Sequence, residues 1–73
     1  MFANQEAAKA TLKTFLSIND QMDDAIIAVQ GRTSPEEYKA FKRAAGYVLV
    51  EIFEKIIEPI CERHPELKPP EMM

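Results

Sequence analysis

The sequence predicts an all-α fold: an antiparallel hairpin of two long helices that pairs as a homodimeric four-helix bundle. Three observations carry this expectation. Apolar residues recur at alternating steps of four and three along two long stretches. Only two glycines occur in 73 residues, few for the turns of an alternating β-protein. Between the two stretches, Ser34-Pro35-Glu36-Glu37 has the form of a capped helix start.

The first helix is expected over residues 5 to 30, with Asn4 as N-cap and Gly31 just past its end. Leu12, Asn19 and Ile26 fall at heptad a positions and Ala8, Phe15, Met22 and Val29 at d. Lys13, Ser17, Asp20, Gln21 and Asp24 take the opposite face. Asn19 is the polar interruption. An amide at an a position costs stability and fixes register and partner number when it finds a suitable partner. The bland alternative is a seam that opens at Asn19, or a helix break within Ser17-Ile18-Asn19-Asp20, which the unbroken heptad phase opposes.

Gly31-Arg32-Thr33-Ser34 makes the connection. The second helix is expected from Pro35 to about Arg63. Ser34 accepts from the Glu37 amide, the Glu37 carboxylate reaches back to the Ser34 amide, and Pro35 sits where its missing N–H costs nothing. Tyr38, Phe41, Ala45, Val48, Leu49, Ile52, Ile56 and Ile60 share one face, and Glu51, Glu54, Glu58 and Glu62 the other, with Glu51 able to pair with Lys55. Pro59 removes a hydrogen bond to the Lys55 carbonyl, so a kink is expected near it. Gly46 in mid-helix costs about 1 kcal/mol against alanine. A close helix crossing is the expected compensation, with Tyr47 pointing outward.

Residues 1–64 are thus expected as one domain and residues 65–73, with Pro65, Pro69 and Pro70, as an extended tail. A compact chain of this size hides a marginal core, exposing about 4,600 Å² when folded. One cysteine cannot form an internal disulfide, so a metal or a partner subunit remains to make up the difference. The free thiol and the lack of a basic-then-apolar leader or a membrane-length apolar run fit a cytoplasmic protein away from membranes. The net charge of −3 argues against broad phosphate neutralisation but permits a local basic patch.

At 1.5 Å per residue the two helices span roughly 39 and 43 Å and match as antiparallel neighbours. Their apolar surface exceeds one seam: Val50, Phe53, Ile57 and Cys61 widen the second helix's face, and Leu16, Ile18, Ala25 and Ile27 the first's. Two hairpins facing each other would cover it, with Leu12, Phe15, Asn19, Met22, Ile26, Val48, Leu49, Ile52, Phe53, Ile56 and Ile60 in the dimer interface. The alternatives are a hairpin that docks on a different protein and a monomeric three-helix fold. In topology the arrangement resembles Rop-like helical-hairpin dimers, which implies that an acidic bundle binds RNA through a local face. No diagnostic motif matches, so no functional residue is carried over.

The candidate chemistry is sparse. Cys61 and His64, at i and i+3, have the spacing to address one metal, but no second pair completes a site; a half-buried thiol and a surface histidine is the simpler reading. Asp20, Asp23 and Asp24, like the glutamate stripe, read as solvated faces. Arg32, Lys39, Lys42 and Arg43, with Tyr47 beside them, form a patch for a phosphate or an acidic partner. The expected function is a small non-catalytic interaction or regulatory protein without cofactor, a homodimer with an unidentified protein partner. The alternative is a nucleic-acid-binding regulator using the basic patch.

Overall fold

The computed structural model describes residues 1–68, and among them every regular element is helical. Helix α1 runs Gln5–Val29 without a break, so Ser17 and Asn19 lie inside it and cap nothing. Asn4 caps its start by accepting from the Ala7 amide at 3.0 Å. At its end Gly31 takes φ 83°, the left-handed conformation that favours glycine and lets the chain turn back.

Helix α2 spans Pro35–Ile52. Its capping box is complete: the Glu37 amide donates to Ser34 Oγ at 3.1 Å and the Ser34 amide to Glu37 Oε1 at 2.9 Å. Those bonds hold the Glu37 carboxyl below its ordinary pKa, the Ser34 backbone amide contributing most. The distortion expected at Pro59 falls just before it. Phe53–Ile57 form a wide π-helical turn, and helix α3 continues over Glu58–Arg63. The Glu58 amide donates to the Phe53 carbonyl, five residues back. The wider turn absorbs the proline, so the helical path persists from Pro35 to Arg63.

Beyond α3 the extended tail is corrected in part. Pro65–Leu67 form a 3₁₀ turn, and Leu67 packs against the core. Residues 69–73, the rest of the expected tail, lie outside the described residues.

The hairpin is 45 Å long and 20 by 16 Å across. Its core lies at one end. Ala8, Leu12, Ile57, Ile60 and Cys61 are buried there, with Phe2, Phe15, Leu16, Ile52, Ile56 and Leu67 packed around them. No helix among the described residues is long and apolar enough to cross a membrane.

The close crossing expected at Gly46 is not within this chain. A methyl group built there would meet nothing within 4 Å. The two helices meet along the face of Ala45, one position earlier in the turn, and Gly46 looks away from the seam.

Candidate functional site

The loop half of the hairpin carries the surface with most to offer a partner. Met22 and Ala25 from α1 and Phe41, Ala44, Ala45 and Val48 from α2 line an apolar groove of about 210 Å³. All six are non-polar, so water in the groove finds no hydrogen-bonding side chain among them. Phe41 is 41% exposed and Val48 48%, high values for residues on the seam side of a helix. The cause is geometric: two helices meet along one line, and side chains on its flank have no third element above them. Ile27 and Val50, on the other flank, are more than half exposed.

The expected interface residues divide accordingly. Leu12 and Ile60 are enclosed by the chain's own helices, at 4% and 0% exposure, so a second copy cannot touch them while the hairpin stays closed. Phe15, Ile52 and Ile56 pack against that same core. Met22, Ile26 and Leu49 are half-buried, and Val48 and Phe53 are exposed. Phe41 was expected on the seam and not in the dimer interface; its spacing to Val48 and Ala44 was the available signal.

Asn19 also faces inward. Its Oδ1 is buried with no donor within reach among the described residues. Within one chain the oxygen has no partner among the described residues, so the register role its heptad position suggests would require a donor from a second copy. An unpaired buried carbonyl of this kind costs about 1–3 kcal/mol.

The Cys61 and His64 pair lies in the sealed end, and the surface histidine is corrected. His64 is 8% exposed. Its Nε2 stands 2.7 Å from the Phe2 carbonyl and donates to it, because that oxygen has only lone pairs to offer. Its Nδ1 lies 3.3 Å from Glu66 Oε1, which also accepts from Gln5 Nε2 at 3.1 Å. Both ring nitrogens thus face acceptors within the protein, the Nδ1 contact being a bond only when the ring carries both protons, and the Nε2 bond ties the N-terminal segment to the end of α3. Sequence spacing could not find this, because Phe2 is 62 positions away. Burial pushes the Cys61 thiol above its ordinary pKa, with the Lys68 ammonium pulling weakly the other way. Such a thiol is a poor nucleophile. Among the described residues no three His, Cys, Asp or Glu side chains cluster to hold a metal.

The basic patch is gathered only in part. Lys39, Arg43 and Tyr47 line one open cleft on the outer face of α2, together with Glu36, Ala40 and Ala44. Tyr47 is 69% exposed there. Lys42 is drawn off, its Nζ 5.9 Å from the centre of the Tyr38 ring. Arg32 stays in the connection, exposed. The Asp20, Asp23 and Asp24 side chains are exposed, as are Glu51, Glu54, Glu58 and Glu62, with Glu51 bonded to Lys55 at 3.1 Å.

No protein-family model, curated protein or solved structure matches this chain.

Proposed function

We propose that the chain is a small non-catalytic interaction or regulatory protein, acting as a helical homodimer that binds another macromolecule. The apolar groove between Met22, Ala25, Phe41 and Val48 is the observation that supports it most. Apolar surface gathered on one half of a small chain is the mark of a contact site.

Light scattering tests the reading. The expected particle at micromolar concentration has twice the 8.3 kDa of one chain. A clean 8.3 kDa particle overturns the homodimer.

A second reading, a nucleic-acid-binding regulator, draws on the cleft where Tyr47 stands beside Lys39 and Arg43. An exposed aromatic ring flanked by cations offers base stacking and phosphate contact together. It predicts a gel shift that weakens steeply with salt and is lost on Arg43→Glu; no shift at low salt sinks it.

A further inference from the structure

Resting on the reading of the chain as an interaction protein, we infer that the outer face of α2 is where the partner docks. Lys39, Arg43, Gly46, Tyr47 and Val50 there receive an acidic segment of another protein that also carries an apolar side chain. At 3.6 residues per turn, positions 39, 43, 46 and 50 step by four, three and four, so they form one straight stripe with Tyr47 along its edge. The stripe lies away from the seam that the buried Ala45 carries. From Lys39 to Val50 it covers about 17 Å of helix.

Charge and shape along the stripe set the partner's chemistry. Lys39 and Arg43 form no ion pair among the described residues, so two cations one helical turn apart stand unneutralised. Tyr47 and Val50 are more than half exposed just beyond them. Gly46 sits between, and a methyl group built there meets nothing within 4 Å. Glycine weakens a helix interior, and no packing among the described residues requires one at this position. Lacking a side chain, it leaves a low point where another backbone can come close. Arg43 and Tyr47 flank that point, and both are residue types that anchor interfaces. The ends of the stripe tell an acidic peptide from a nucleic acid. Glu36 stands before it and Glu54 one turn beyond Val50, both exposed. A phosphate backbone running along the stripe brings a charge at every step and meets both carboxylates. A peptide sets its carboxylates against Lys39 and Arg43 alone and its apolar group against Tyr47 and Val50.

The test is selection of a library of random short peptides on the full chain at low salt. The expected binders carry Asp or Glu together with a large apolar residue. Their affinity falls about tenfold on Arg43→Glu, which sets like charges against each other, and falls as salt rises. Gly46→Leu is the second variant. It fills the low point without crowding the chain and replaces a weak helix former with a strong one, so the fold is kept while the same binders weaken about tenfold. Binders without acidic residues, no binders, or acidic binders that both variants leave unchanged overturn the inference. Binders lost instead on Val48→Asp place the contact in the apolar groove; the inference then fails and the interaction reading stands. A single-stranded oligouridine that outcompetes every selected peptide makes the occupant a nucleic acid. A particle mass that drops in light scattering on Gly46→Leu makes it a second copy. A chain that binds neither peptide nor oligouridine and stays an 8.3 kDa particle removes the interaction reading as well.

Discussion

The two halves of the hairpin are built from the same two helices, yet only one is closed. At the end near the chain termini, Ala8, Leu12, Ile57 and Ile60 are enclosed; at the loop end Phe41, Val48 and Ile27 face solvent. The apolar content of the helices does not explain this, since both halves carry a full seam. Short segments explain it. Phe2 and Leu67 fold over the seam at the sealed end, and His64 bonds to the Phe2 carbonyl and faces Glu66. No such segment crosses the loop half among the described residues. A two-helix seam shields a line and not a volume, so a third layer is what turns apolar side chains into a core.

Truncations should separate the halves most strongly. Ile60→Ala removes a fully buried side chain from the sealed end and is expected to cost about 2–5 kcal/mol in urea unfolding. Val48→Ala, in the groove, should cost well under half of that in the isolated hairpin, with a larger loss appearing only as concentration rises. Equal costs at every concentration would erase the distinction between the halves.

Next in size is Asn19→Leu, which replaces an enclosed, unpaired oxygen with apolar volume. Its expected effect is a gain of about 1–2 kcal/mol in thermal or urea unfolding. A loss would mean that Asn19 Oδ1 finds a donor in the assembled protein. Gly46→Ala comes after it, at a gain of up to about 1 kcal/mol, since the added methyl meets nothing and the helix loses a flexible residue. If that methyl instead lowers the oligomer mass in light scattering, Gly46 lies in a contact between copies, and the groove is not the interface.

The smallest effect concerns pH. Glu37 is held below its ordinary pKa by the Ser34 amide and hydroxyl. Its contribution is therefore complete above the ordinary carboxylate value and is lost as pH falls through the lowered one. Glu37→Gln should flatten the acid limb of the stability curve slightly, read from unfolding between pH 5 and 2. An unchanged limb would show that the capping box adds nothing through charge.

Much of this could be read from the residues, because local chemistry decides it. Asn4, Gly31 and the Ser34–Glu37 box bound the helices where expected, and the heptad phase through Asn19 kept α1 whole. What could not be read depends on residues far apart in sequence. Leu12 and Ile60 share a heptad face with Met22 and Val48, and nothing local says that Phe2 and Leu67 will cover the first pair and leave the second bare. His64 looked like a surface residue because its partner is a backbone carbonyl at the other end of the chain. Pro59 announced a distortion but not its form; the π-turn at Phe53–Ile57 depends on how the helix packs around it. The basic patch was visible in spacing, but the turn of Lys42 toward Tyr38 was not.

Amide hydrogen exchange at two protein concentrations tests the central claim most directly. If a second copy completes the loop half, amides of residues 18–29 and 38–48 gain protection as concentration rises, while those of residues 8–16 and 52–61 stay unchanged. Protection that is equal in both halves and independent of concentration would contradict the account.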